Sequence, residues 1–194
     1  MLGLKKILCA KIERPIIHFA MKKNNNGFTL VELLTVIAII GLLSVFAVVA
    51  LNGARGKAKE AVAKDDLAKL RSAMLMMENE LEKWPNGCPP WSVRNPEIEL
   101  AAQQAGLLTQ PAVGDQGDGC QWTQQAVDRW NGPYAREVQL DPWDNSYYFD
   151  PDYTPYANCD GEPTQDESAV LVSFGPNGAG LNGYDCDDIF IKLR

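Results

Sequence analysis

Between Phe28 and Leu51 the chain is apolar almost without interruption, FTLVELLTVIAIIGLLSVFAVVAL, 24 residues with one charge, at Glu32. As a helix this run reaches about 36 Å, enough to cross a bilayer core of about 30 Å. A helix buried in a soluble core seldom stays apolar on every face for so long. The flank behind it, Asn52–Gly53–Ala54–Arg55–Gly56–Lys57, lets a helical pattern continue, unlike the small-residue cleavage site behind a secretory signal. Lys22 and Lys23 place the N-terminus on the cytoplasmic side by the positive-inside rule, a reading weakened by Arg55, Lys57 and Lys59 beyond the run.

Further along, Leu67, Leu70, Met74, Met77, Leu81 and Trp84 recur at spacings of three and four, while Lys64, Asp65, Lys69, Arg71, Glu78 and Glu82 occupy the other faces. That pattern predicts one helix over 28–84, bent or loosened at Gly41, Gly53 or Gly56, whose second half lays an apolar stripe on a domain. Trp84–Pro85–Asn86–Gly87 stops it, because proline cannot continue a helix and Asn-Gly favours a turn. After residue 87 the texture turns to Gly, Pro, Asp, Asn and aromatics. Short helices are predicted at 96–105 and 121–130, and strands at Ser146–Asp150, Ala169–Phe174 and Asp188–Leu193. The strands form a small antiparallel sheet whose inner face needs the amphipathic half of the long helix. The fold class is α+β.

Composition sharpens this picture. The net charge of −7 hides a split: the first 27 residues are basic, and the remainder carries about −12. So acidic a body repels phosphate backbones, and broad nucleic-acid binding is not expected. Of five cysteines, Cys9 lies in the basic segment, whereas Cys88, Cys120, Cys159 and Cys186 are spread through the polar body without CxxC spacing. This suits two disulfides in an oxidising compartment better than a zinc site, the only histidine being His18, far upstream. Three pairings are open. Cys88–Cys120 with Cys159–Cys186 is preferred because both loops are short, each restricting the unfolded chain by about 3–4 kcal/mol.

Gly27–Phe28–Thr29–Leu30–Val31–Glu32 followed by an apolar run resembles the signal of type IV prepilins and of type II secretion pseudopilins. The resemblance implies cleavage by a prepilin peptidase after Gly27, methylation of Phe28, and a pairing of Glu32 with the free α-amino group of Phe28 on a neighbouring subunit. A charge near the end of a membrane helix is costly unless paired, which fits such a role; the bland reading is a glutamate that caps its own helix or reaches the interface. Residues 1–27 would be the leader, and a start at Met21 would leave a typical short basic one. Residues 28–51 would be the transmembrane and filament-core helix, 52–87 its amphipathic continuation, and 88–194 a globular β-rich domain. No proline stands near the end of the apolar run, a departure from the family pattern.

A second resemblance lies downstream. Gly132–Pro133–Tyr134 with Asp141–Pro142–Trp143–Asp144–Asn145–Ser146–Tyr147 is similar to a segment of the major pseudopilin of type II secretion. Ser173–Phe174–Gly175–Pro176–Asn177–Gly178 with Asp185–Cys186–Asp187–Asp188–Ile189 is similar to that family's calcium loop. Calcium would there take oxygens from Ser173, Asn177, Asp185 and Asp188, with Asp187 in reserve. Asn177 in place of an aspartate and Cys186 inside the ligand run depart from the pattern, and a disulfide would then replace the metal as the staple. Residues 88–130 fall outside the resemblance and read as an elaboration.

Gly178–Ala179–Gly180–Leu181–Asn182–Gly183 matches G-x-G-x-x-G but leads into a strand rather than a helix, so no dinucleotide site is expected. Asp115–Gly119 and Asp150–Pro151–Asp152 read as surface turns. After Gly27 there is no histidine and no G-x-S-x-G, so an enzyme is not expected. The function implied is a structural subunit, anchored once in the cytoplasmic membrane with its C-terminal domain outside. It would then polymerise with itself and other pilin-like subunits into a periplasmic or extracellular filament, with the peptidase and an inner-membrane assembly machinery as partners. The alternative is a minor or tip pilin binding a surface, DNA or secreted cargo through the 88–130 region, where Trp91, Trp122 and Trp130 stand.

Overall fold

The computed structural model describes residues 27–90, 92–155, 167–181 and 184–193. It divides into two compact units, with the boundary between Phe46 and Ala47. Helix α1, Leu30–Leu81, contains that boundary and passes Gly41, Gly53 and Gly56 without interruption. A glycine costs a helix only about 1 kcal/mol relative to alanine. Three isolated ones do not undo a ladder this long.

In the first unit the apolar residues of α1 are exposed among the described residues, and its two hydroxyls are satisfied within the helix. Thr35 Oγ1 donates to the Glu32 carbonyl at 2.9 Å and Ser44 Oγ to the Ile40 carbonyl at 2.7 Å. Such back-bonding lets a polar side chain sit in an apolar medium without a lost hydrogen bond.

In the second unit the predicted stripe of Leu67, Leu70, Met74, Met77, Leu81 and Trp84 is buried, joined by Ala63 and Ala73. The helix ends where Glu82, its N–H still bonded to the Glu78 carbonyl, turns to φ +54 ahead of Pro85. Gly87 closes the exit turn at φ +78, where a Cβ would come within 2.9 Å of the Gln121 backbone. Only glycine fits there.

The stripe packs against a four-stranded antiparallel sheet of order β1-β4-β5-β6, formed by Ile98–Glu99, Tyr147–Tyr153, Ser168–Ser173 and Ile189–Lys192. Cross-strand partners Phe149 and Leu171 face the helix, with Tyr147, Ile189 and Leu193 completing the layer. Trp84 meets Phe149 edge-on, centroids 5.3 Å apart. Each side chain so enclosed contributes about 1.5–3 kcal/mol relative to exposure. The opposite sheet face is also covered: Tyr153, Val170, Val172 and Phe174 form a second cluster with Tyr148, Tyr184 and Phe190. Double coverage is why β5 reads as a nearly continuous apolar run rather than an alternation.

The 88–130 region differs from expectation. In place of a helix over 96–105, Ile98–Glu99 pairs with Phe149 and Tyr148, and a single 3₁₀ turn follows at Gln103–Ala105. Ile98 and Leu100 satisfy a period of two as readily as a helical one, and the open edge of β4 decides between them. The helix expected over 121–130 shrinks to α2, Gln124–Arg129, because Thr123 caps it by accepting from Ala126 N–H at 3.2 Å. Cys120–Trp122 (β3) instead forms a hairpin with Gly114–Gly117 (β2). Asp118 and Gly119 make its turn, both at positive φ, as a tight hairpin requires. The Cys88–Cys120 disulfide joins this hairpin to the exit of α1. Leu100, Leu107, Trp122, Ala126 and Val127 lie in the main core, so the segment is part of the domain's packing rather than an addition to it.

Candidate assembly site

Thr29 and Glu32 build the start of α1. The Thr29 N–H and hydroxyl both donate to Glu32 Oε2, at 2.9 and 2.8 Å, and the Glu32 N–H returns a bond to Thr29 Oγ1 at 3.2 Å. This is a capping box: two backbone donors that a helix start leaves open are satisfied by side chains. The glutamate thus caps its own helix, and it does so with one oxygen. Oε1 accepts nothing among the described residues, and the residue is exposed; Phe28, just before the cap, is 84% exposed.

Behind the cap, all large hydrophobics from Leu30 to Leu51 are about half exposed or more, Val36 least at 46% and Leu30 most at 80%. An 18-residue window of this stretch has a mean hydropathy of 2.9, with none of it buried. Water is a poor medium for such a surface. Lipid or other apolar helices are good ones.

The downstream motifs are structural ties. Tyr134 donates to Glu80 Oε2 at 2.7 Å, fastening the Gly132–Tyr134 segment to α1. Burial, then the Glu80 bond, push that phenol up to about 12. Asp141 is only 3% exposed; its Oδ1 accepts the N–H groups of Trp143 and Asn145 at 2.9 and 2.8 Å, and its Oδ2 the Ser173 hydroxyl at 2.6 Å. Asn145 Nδ2 donates to the Gly175 carbonyl at 2.7 Å. Gly175 itself is at φ +57, and a Cβ there would overlap the Asp187 carbonyl.

Of the five residues expected to hold calcium, the structure gathers three. Asn177 Nδ2 donates to Asp185 Oδ2 at 2.6 Å and to Asp187 Oδ1 at 2.8 Å, so an amide sits where a cation would bridge the two carboxylates. Ser173 is turned to Asp141, and Asp188 Oδ2 accepts from the Tyr153 hydroxyl at 2.9 Å and from the Asp185 N–H at 3.2 Å. Burial pushes the Asp188 carboxyl up to about 6 against those two bonds. Among the described residues no three acidic, cysteine or histidine side chains stand close enough to share an ion. The five do not fit calcium as one ligand set; the asparagine that departs from the family pattern is the physical reason. Cys186 is disulfide-bonded, and Cys159, its expected partner, lies outside the described residues.

Two more expectations change. Trp122 is buried with its Nε1 donating to the Gln104 carbonyl at 2.8 Å, and Trp130 Nε1 donates to the Gly106 carbonyl at 2.7 Å. These rings are spent on packing and do not form an exposed binding surface; Trp91 lies outside the described residues. Asp150, read as a surface turn, is 0% exposed. It sits on a strand with neighbours on both sides, a placement that sheet topology rather than residue order supplies.

Comparison with known proteins bears on part of the chain, most strongly on its N-terminal third. Residues 22–48 match the prokaryotic N-terminal methylation motif. The chain is 44% identical over 71 residues to the type IV major fimbrial protein FimA of Dichelobacter nodosus, an alignment covering 36% of this chain and 44% of the relative. It therefore spans less than half the length of the fimbrial relatives it matches. It is 27% identical over 126 residues to the type II secretion system core protein G of Aeromonas hydrophila, covering 65% of this chain and 73% of that protein. The corresponding protein of Pseudomonas aeruginosa is 25% identical over 129 residues, with 66% and 75% coverage. No solved structure matches the chain. A methylation motif on a self-capped helix, an apolar helical surface left exposed among the described residues, and a sheet packed on an amphipathic helix are the features that make this chain similar to type IV pilin-like proteins.

Proposed function

We propose that the chain is a structural subunit of a type IV pilus or a type II secretion pseudopilus, cut after Gly27 and polymerised through residues 28–51. The observation that carries this reading is the exposed helix behind a self-sufficient cap. α1 needs no partner to start, yet its first half leaves a large apolar surface that only lipid and then other subunits can cover. Cleavage frees the Phe28 amino group, while Glu32 Oε1 stays unused by the cap. A neighbour's ammonium on that oxygen neutralises the carboxylate, sets the axial register, and leaves the Thr29 bonds on Oε2 intact. Before assembly the helix anchors the subunit in the cytoplasmic membrane with residues 52–194 on the far side.

Proteins whose names are fimbrial match the N-terminal third, and secretion core proteins match two thirds, so the relatives favour a filament over a catalyst. Mass spectrometry of sheared filaments tests the proposal: the mature chain begins at methylated Phe28. Filaments whose subunit retains residues 1–27 would refute it.

A further inference from the structure

Asp150 lies on the face of β4 turned away from α1, opposite Val170 on β5 and among the aromatic rings of the second cluster. The register pairs Ile98 with Phe149 and Glu99 with Tyr148. Carried one position further, it sets Glu97 opposite Asp150, and the Glu97 carboxylate oxygens are buried too. Like charges directly across strands oppose pairing. Asp152 completes the group: its N–H donates to Asp150 Oδ1 at 3.0 Å, and its Oδ2 accepts from Asn95 Nδ2 at 2.9 Å. Asp150 Oδ2 and Asp152 Oδ1 are buried without a hydrogen bond of normal geometry, though the Tyr184 hydroxyl approaches the Asp150 carboxyl.

The titratable groups facing Asp150 are therefore Glu97 from the lead into β1, Asp152 and Tyr153 from β4, and Tyr184 from the loop before β6. Among the described residues no lysine or arginine forms an ion pair with it. A buried carboxylate with no cation gives up its hydration for nothing in return, so it takes a proton instead.

We propose that Asp150 is a neutral carboxylic acid at neutral pH, hydrogen-bonded to the Asp152 carboxylate. With Glu97 it forms a pH-sensitive latch that fastens β1 and the Tyr184 loop onto β4. Burial first, and the Glu97 charge second, push the Asp150 carboxyl up to about 8, whereas an unfolded chain titrates near the ordinary value of 3.8. Between those values the folded state holds a proton that the unfolded state has lost. Stability from this site is thus full below the ordinary value, declines as pH rises, and is gone above about 8. Ionisation releases the proton to solvent and leaves two charges facing across the β1–β4 edge. That edge is short, held by the pairs Ile98–Phe149 and Glu99–Tyr148, the Leu100 N–H bond to the Tyr147 carbonyl and the Ser146 hydroxyl bond to Glu99.

The test is thermal unfolding of the full-length chain in detergent micelles, followed by circular dichroism between about pH 5 and about pH 9. The wild-type melting temperature is expected to fall by about 5 °C or more across that range. Asp150→Asn, which keeps the shape and cannot ionise, should retain only the smaller decline that Asp188 imposes up to about pH 6 and exceed wild type at the alkaline end, and Glu97→Gln should move the decline to lower pH. A slope for Asp150→Asn equal to that of wild type overturns the latch. So does millimolar calcium chloride that lifts wild type to the level of Asp150→Asn at alkaline pH without moving the variant, because a cation would then be the neutralising charge. Should Asp150→Asn fail to fold, infrared spectroscopy of wild type decides: a protonated carboxyl band must be present at neutral pH and bleach on alkaline titration, and its absence overturns the proposal.

Discussion

Replacing Glu32 by glutamine separates its two roles, because glutamine serves in a capping box as glutamate does but carries no charge. The cap consists of two bonds to Oε2, from the Thr29 N–H at 2.9 Å and hydroxyl at 2.8 Å, and the amide oxygen of glutamine accepts both. Helix start and membrane anchoring are therefore expected to survive. What is lost is the proposed partner of the neighbour's Phe28 ammonium. Removing one member of an enclosed ion pair costs about 3 kcal/mol or more, since the other charge is left unpaired. Every added subunit makes that contact once, so the subunit concentration needed for growth rises roughly 100-fold. The assay is the amount of subunit in the sheared filament fraction relative to the membrane fraction. Filaments from Glu32→Gln should fall below detection while the membrane pool accumulates. Thr29→Ala is the control: it removes the N-cap hydroxyl at a cost of about 1 kcal/mol but keeps the charge, and filament yield should change only a few-fold. If Glu32→Gln assembles like wild type and Thr29→Ala does not, the glutamate is a cap and nothing more.

Asp141→Ala leaves the N–H groups of Trp143 and Asn145 and the Ser173 hydroxyl without their acceptor, at about 1–3 kcal/mol for each donor that stays dry; chemical denaturation should show a loss of several kcal/mol, and a loss under about 1 kcal/mol would mean water replaces the carboxylate. Cys88→Ser with Cys120→Ser opens a bridge of sequence separation 32 and should cost about 3–4 kcal/mol in the same measurement, with the hairpin at 114–122 the first region to exchange its amides. Asn177→Asp replaces the amide that bonds Asp185 and Asp187 by a third carboxylate, so the variant should melt lower than wild type without calcium and recover with it, whereas wild type should not respond.

How much of this was legible beforehand follows from the range of the interactions concerned. The 3.6-residue stripe from Leu67 to Leu81, the stop at Trp84–Pro85 and the three long strands were readable because each depends on neighbours a few residues away. The N-terminal signal was readable for the same reason, and residues 22–48 match the methylation motif. The elements that went astray lie where two local patterns tie. Ile98–Glu99 is a strand only because β4 presents an open edge some 50 residues downstream, and Cys120–Trp122 a strand only because a hairpin and a disulfide hold it.

The candidate sites divide along the same line. Residue order alone established an apolar run long enough to span a membrane, a lone glutamate near its start, and a domain behind it, since hydrophobicity and helix length are properties of consecutive residues. Tertiary structure decided what the remaining polar groups do. It turned Ser173 to Asp141 and placed Asn177 between two carboxylates. It also brought Asp150 indoors opposite Glu97, because solvation and electrostatics act through space, where residues far apart in sequence become neighbours.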